Sequence, residues 1–298
     1  MAMLFGKSVG ETGKFNIYEK DYLEQDGEIK RIKPKSVMFG SNYSTDGATK
    51  SYRALMPDVD FNNPKPVPFL EDLVCYASDP DEESIMMDFF SGSGTLGHAV
   101  MSRNASDNGK RRFVLVQLPE EIDHPTYKVI SSITKERLRR AGAKVKSDNP
   151  TFAGDTGFRV FKLDTSNIQA WNPDRNNLEK TLLDHEEHIL SGRTESDIVY
   201  ELLLKLGLDL CVPIESCIIA GKTVNAIGGG VLLACLAERI AVAEVEALAQ
   251  GIISWHKELA PAGDTTCVFR DSAFENDIAK SNLAAILEQY GIRNVRSL

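Results

Sequence analysis

The residues best suited to chemistry in this sequence are Asp88, Gly92, Ser93, Gly94 and Thr95, inside the stretch IMMDFFSGSGTLGHAV that runs from Ile85 to Val100. Apolar Ile85, Met86 and Met87 lead into Asp88, Phe89 and Phe90. The loop Ser91-Gly92-Ser93-Gly94-Thr95 then opens a segment with apolar residues at helical spacing, Leu96, Ala99 and Val100. The pattern predicts a strand, a tight glycine turn and a helix start. Glycine at 92 and 94 permits positive φ and lets a ligand reach main-chain N–H groups that a Cβ would shield. Gly92-x-Gly94-x-x-Gly97 matches the literal dinucleotide fingerprint, but Asp88 at the carboxyl end of the strand would repel a pyrophosphate at short range. An ammonium and a sulfonium, as carried by S-adenosylmethionine, would instead be attracted by that carboxylate. The expected cofactor is therefore S-adenosyl-L-methionine, with the backbone N–H groups of Ser93 to Thr95 and the Thr95 hydroxyl as donors.

At these residues the sequence resembles the DNA amino-methyltransferases, whose pattern Asp-x-Phe-x-Gly-Ser-Gly-Thr is met by Asp88, Phe90, Gly92, Ser93, Gly94 and Thr95. Upstream, Phe61-Asn62-Asn63-Pro64-Lys65-Pro66, followed by Phe69, Leu70, Leu73 and Val74, looks like the segment that precedes the glycine loop in the class with permuted motif order. Downstream, residues 109–120 resemble the second strand, Ile133-Thr134-x-x-Arg137-x-x-Arg140 its following helix, and Gly157 to Asp164 the next block. Together these blocks resemble the C-terminal portion of the modification subunit of type III restriction-modification systems, from about residue 30 onward.

The resemblance implies a site-specific, adenine-N6 DNA methyltransferase that moves a methyl group from S-adenosylmethionine to the base. It assigns Lys65 to the methionine carboxylate, with the Pro64 and Pro66 frame setting its direction. A ribose-binding carboxylate is expected at the end of the second strand, where Gln117 stands instead, with Glu120 and Glu121 just beyond. The family flips its target base and holds the amine with an Asp/Asn-Pro-Pro-Tyr/Phe turn whose aromatic ring stacks on it. No such tetrapeptide occurs in this sequence. The chain is therefore expected to begin partway through the family's sequence, to keep the cofactor motif, to name no catalytic residue of its own and to be inactive alone. The partners implied are double-stranded DNA in the complete subunit, the helicase-nuclease restriction subunit and a second copy bound through the C-terminal domain. An alternative reading is a non-catalytic assembly module that binds the restriction subunit or a second modification subunit.

Bulk properties limit the choices. The net charge of −9 is awkward for a DNA-binding protein, but it is unevenly spread. Residues 1–160 hold 22 Lys and Arg against 23 Asp and Glu, whereas residues 161–298 hold 12 against 20. DNA contacts therefore belong to the first half, at Lys30, Arg31, Lys33 and Lys35 or along Lys135, Arg137, Arg139, Arg140, Lys144 and Lys146, the second run also fitting a solvated helix face. Apolar runs fall short of a membrane span and the N-terminus lacks a signal-peptide core, so a cytoplasmic protein is expected. The five cysteines have no metal-type spacing and read as reduced core residues. His98 reads as a packing residue, while His185 and His188 read as a helix face without the spacing of a zinc site.

The elements that must position the site follow from periodicity. Residues 1–60 read as irregular strands, the trailing part of a target-recognition region. Residues 61–172 alternate helix (68–76), strand (85–90), helix (96–103), strand (113–118), helix (125–141) and strand (158–163), which predicts a parallel sheet with crossovers. This makes an α/β fold, a partial Rossmann-like methyltransferase sheet in permuted order. After a linker at 172–177, residues 178–298 read as a C-terminal α+β assembly domain. Its helices are expected at 178–189, 196–206, 242–253 and 273–290, a three-stranded meander at 214–219, 223–227 and 231–236, and strands at 266–269 and 294–296.

Overall fold

The computed structural model describes residues 3–8, 15–19, 24–25, 28–29, 37–169 and 189–298. The chain divides into two compact units, Met1–Phe158 and Arg159–Leu298. This boundary assigns residues 159–169 to the second unit, ahead of the linker read from the sequence. That linker, the helix expected at 178–189 except for its last residue, His185, His188 and the basic cluster at 30–35 lie outside the described residues.

In the first unit, β1 (Met3–Ser8) pairs antiparallel with β2 (Phe15–Glu19), and the two-residue strands β3 (Glu24–Gln25) and β4 (Glu28–Ile29) form a second antiparallel pair. Next comes α1 (Thr45–Leu55), where sequence periodicity gave only irregular strands. Ser44 caps this helix by accepting a hydrogen bond from the Gly47 N–H, and Asp46 pairs with Lys50 one turn on. Gly47 in the first turn disguised the pattern, while Ala48 and Tyr52 supply the buried stripe. The unit continues with α2 (Val67–Ala77), β5 (Ile85–Asp88), α3 (Thr95–Asp107), β6 (Arg112–Leu115) and α4 (Ile130–Asp148). Strands β5 and β6 are parallel and in register from Ile85 opposite Arg112 to Asp88 opposite Leu115, as the helix and strand alternation predicts.

One core of this unit joins Met101 of α3 to Leu138, Ala141 and Val145 of α4, with Phe113 and Leu115 of β6 against them. A second joins Tyr52, Met56 and Val59 to Ile133. Among the described residues, nothing covers the opposite face of the sheet. Ile85, Met87, Val114, Val116 and Leu118 alternate onto it and are all exposed, although parallel sheets ordinarily carry helices on both faces.

The second unit corrects two expectations. Residues 158–163 form no strand. Instead Arg159 donates to the Tyr200 hydroxyl at 3.0 Å and to the Leu210 and Val212 carbonyls at 2.6 and 3.0 Å, so the segment is held by side-chain bonds rather than by a ladder. The unit is also more α/β than α+β. Its helices and strands are α5 (Glu195–Leu206), β7 (Ile214–Ile219), β8 (Lys222–Ile227), β9 (Leu232–Cys235), α6 (Val245–Leu259), β10 (Thr266–Phe269), α7 (Asp277–Gln289) and β11 (Asn294–Ser297). The sheet order is β11-β10-β9-β8-β7. Strands β7 to β9 form the expected meander, but β9, β10 and β11 run parallel through α6 and α7. Strand β9 is buried on both sides: Leu232 and Ala234 meet Ile198, Leu202 and Leu203 of α5, whereas Leu233 and Cys235 meet Leu248, Ile252 and Leu283 of α6 and α7.

Helix α5 begins with a capping box in which Thr194 and Asp197 each bond the other's backbone N–H. Leu283 has no exposed surface. Replacement by alanine should therefore lower unfolding free energy by about 2–5 kcal/mol, measured by urea unfolding of the whole chain.

Candidate cofactor loop

The sheet delivers the chain to the loop in a fixed order. Val116 donates to the Asp88 carbonyl at 2.8 Å and Ser91 donates to the Val116 carbonyl at 3.1 Å, extending the β5–β6 ladder past its last paired residues. The Asp88 carboxylate accepts the Phe90 N–H through Oδ1 at 3.0 Å, which closes the turn at the strand end. Its second oxygen has no partner among the described residues. Gly92 (φ 51°) and Gly94 (φ 82°) both take the left-handed conformation, and Gly94 is the N-cap of α3. The N-terminus of α3 therefore points its free N–H groups at whatever occupies the loop.

Helix α4 grips this loop from behind. Thr134 donates its hydroxyl to the Gly92 carbonyl at 2.5 Å. One turn later, Arg137 Nη1 donates to Ser93 Oγ at 2.5 Å and to Thr95 Oγ1 at 2.7 Å. The packing demands small residues: a Cβ on Gly94 would lie 2.9 Å from Thr134 Cγ2, and one on Gly97 would lie 2.6 Å from Leu138 Cδ2. The third glycine of the fingerprint thus serves the contact between α3 and α4.

The structure distributes the residues singled out in the sequence in three ways. Asp88, Gly92, Ser93, Gly94 and Thr95 come together, but the Ser93 and Thr95 side chains are buried against Arg137, so the Thr95 hydroxyl pins the loop instead of facing outward. Gln117 also reaches the loop, accepting the Gly92 N–H through Oε1 at 2.7 Å, while its Nε2 donates to the Leu118 carbonyl at 3.3 Å. Its amide is committed to loop geometry, and Glu120 and Glu121 are exposed beyond it. Phe90 is 85% exposed and Lys65 is exposed between buried Pro64 and Pro66, with no ion pair among the described residues. Sequence reasoning missed Arg137 as a member of the site. Its place one helical turn after Thr134, both facing the glycines, was the available signal.

The basic run on α4 is largely neutralised. Arg140 bonds both oxygens of Asp58 and also pairs with Glu136 at 2.8 Å. This guanidinium holds the Asp58 carboxyl down at about 2. Lys144 pairs with Asp148 at 2.7 Å and Arg137 is buried. The segment Asn149-Pro150-Thr151-Phe152 ends α4, with Asn149 as its C-cap. Asn149 bonds the Val145 carbonyl at 2.9 Å and Phe152 packs on the α3–α4 core. It lies twelve residues past Arg137, roughly 18 Å along the helix at 1.5 Å per residue.

The chain is 32% identical over 230 residues to the EcoPI Mod subunit of a type III restriction-modification enzyme from Escherichia phage P1, covering 73% of this chain and 34% of that protein. The chain is a homologue of type III Mod subunits. The EcoP15I Mod subunit of Escherichia coli is 28% identical over 287 residues, covering 92% of this chain and 39% of the relative. The type II methyltransferase M.KpnI of Klebsiella pneumoniae is 31% identical over 128 residues, covering 41% of this chain and 30% of the relative. The chain thus spans about a third of the length of these Mod and methyltransferase relatives. No protein-family model matches it.

His98, on the first turns of α3, has a ring whose Nδ1 is sealed from water and has no partner among the described residues. Burial, with the nearby Arg137 and Lys144 charges, lowers its pKa from 6.5 to about 4. On acidification the unfolded chain therefore binds this proton first, so stability is complete above about pH 6.5 and drains away down to about pH 4. Substitution His98→Gln should flatten that part of the stability profile, measured by urea unfolding at a series of pH values. An unchanged slope would mean that His98 is not buried neutral.

Proposed function

We propose that the chain is part of a type III, adenine-specific DNA methyltransferase subunit, and that it binds S-adenosylmethionine at the glycine loop. The observation that carries this reading is the Asp88 carboxylate at the end of β5 beside two left-handed glycines that open α3. An ammonium fits that carboxylate, and a pyrophosphate does not. In this reading the Ser93 and Thr95 N–H groups hold the amino-acid end of the cofactor, since those of Ser91, Gly92 and Gly94 bond Val116, Gln117 and Ser91 within the protein, and the exposed Phe90 ring covers the adenine. Lys65 reaches the carboxylate, and the ribose is held near Gln117. When bound, the cofactor supplies the methyl group. The residues of this chain bind and orient it, and the amine-holding turn comes from another part of the methyltransferase domain.

The bare face of the β5–β6 sheet supports that division. Met87 and Val114 sit opposite each other there with Ile85, Val116 and Leu118 around them, and burying such side chains is worth about 1.5–3 kcal/mol each. We assign this face to the remaining layer of the methyltransferase domain. The first 60 residues are read as the end of a target-recognition region that works on double-stranded DNA in the cytoplasm. A second role, assembly with another modification subunit or with the restriction subunit, is assigned to residues 178–298. The acidic balance of that half and the exposed Ile218 on the edge strand β7 favour it. Sedimentation of the chain should give a dimer that Ile218→Glu weakens, and an unshifted dimer would place the contact elsewhere.

Two further outcomes are expected. The chain alone should transfer no methyl group to mixed-sequence DNA from labelled S-adenosylmethionine, and label in adenine above a heat-killed control would show that the catalytic group is present. Calorimetry should give preference for S-adenosylhomocysteine over NAD. Asp88→Asn should weaken S-adenosylhomocysteine by roughly 1.5–3 kcal/mol, the worth of a charge-assisted bond. Loss of NAD binding alone in that variant would reverse the cofactor assignment.

A further inference from the structure

Arg137 is only 2% exposed, yet it has no carboxylate partner among the described residues. A buried guanidinium without an anion is costly and must be offset locally. Its offsets here are neutral. Nη1 donates to the Ser93 and Thr95 hydroxyls, the charge lies 5.5 Å from the centre of the Tyr52 ring, and Nε has no partner among the described residues. Ser91 of the same loop also carries a buried hydroxyl with no partner among the described residues. Asp88, the nearest acidic residue in sequence to the loop, is tied through Oδ1 to the Phe90 N–H at the strand end.

The turn therefore joins a carboxylate at the end of β5 to a cation at the α3 N-terminus whose hydrogen bonds go only to neutral groups. The hydroxyls it touches belong to the residues flanking Gly94. A ligand atom that accepts the Ser93 and Thr95 N–H groups would meet the same two residues whose buried hydroxyls Arg137 holds, and Coulombic attraction through buried protein is weakly screened. We propose that Arg137 is a positioning and specificity residue that makes this loop select a zwitterionic amino-acid end, with the ammonium toward Asp88 and the carboxylate over the loop N–H groups, drawn by the buried guanidinium. This rests on the cofactor reading given above and revises it at one contact. The carboxylate goes to the loop and Arg137 in place of Lys65.

The test compares two ligands that differ only in the carboxylate: S-adenosylhomocysteine and 5′-deoxy-5′-(3-aminopropylthio)adenosine, titrated into the full chain by calorimetry. The wild type should bind the carboxylate-bearing ligand at least tenfold more tightly. Arg137→Met should remove most of that preference, weakening S-adenosylhomocysteine about tenfold and the amine analogue less than twofold. Arg137→Lys should restore much of the preference, and Lys65→Ala should change it little. Equal losses on both ligands in Arg137→Met would overturn the proposal, because a residue that merely shapes the loop affects both alike. If Arg137→Met fails to fold, the wild type decides with Lys65→Ala: equal affinity for the two ligands, or a preference abolished by Lys65→Ala, refutes the role of Arg137. No binding of S-adenosylhomocysteine by the wild type overturns the cofactor reading together with this one, whereas binding of both ligands equally overturns only this one.

Discussion

The first unit depends on how closely α4 approaches the glycine turn. Three hydrogen bonds, from Thr134 to Gly92 and from Arg137 to Ser93 and Thr95, fasten the helix to the loop, and the missing Cβ atoms at Gly94 and Gly97 let the two surfaces meet. Left-handed backbone at Gly92 and Gly94 sets the direction in which the loop N–H groups point, and the fastening keeps it there. The α3–α4 core of Met101, Leu138, Ala141 and Val145 lies directly behind. Loop geometry, helix packing and sheet order are therefore one constraint seen at three distances. The second anchor, Arg140 on Asp58 with Glu136, fixes the other side of α4 to the chain that follows α1.

Much of this was legible in the sequence where local signals agreed. Strand, glycine turn and helix around Asp88 appear as read, because apolar run, breaker and helical spacing change within a few residues. The meander of β7 to β9 followed from Gly221 and the run Gly228-Gly229-Gly230, which take left-handed conformations at the two turns. The strand expected at 158–163 failed because alternation alone does not supply a neighbour to pair with; Arg159 and its carbonyl acceptors determine that segment, and they lie over 40 residues away. Helix α1 was hidden by Gly47 and by the surrounding turn residues, and only its capping bond and buried stripe declare it.

Within the site, residue types were readable and directions were not. Ser93 and Thr95 lie in the loop and Gln117 reaches it from beyond the end of β6, yet their side chains bond Arg137 and the Gly92 N–H. A hydroxyl or amide in a glycine loop can serve the ligand or the scaffold, and the choice is made by the helix packed behind it. Arg137 itself looked like one member of a basic surface run; its burial follows from the position of α4 against α1 and the loop, which no local pattern encodes.

The bare face of β5 and β6 also governs how the molecule behaves in bulk solution. Neither strand has an outer neighbour among the described residues, so the pair offers two open edges beside a stripe of Ile85, Met87, Val114, Val116 and Leu118. Such surfaces template association between copies. What opposes it is the charge of −9, a repulsion that reaches only about 10 Å at 0.1 M salt. It vanishes near the isoelectric point of about 5.2. Colloidal stability of this chain is therefore a contest between one uncovered sheet and a screened electrostatic field, set by the ionic strength and acidity of its surroundings.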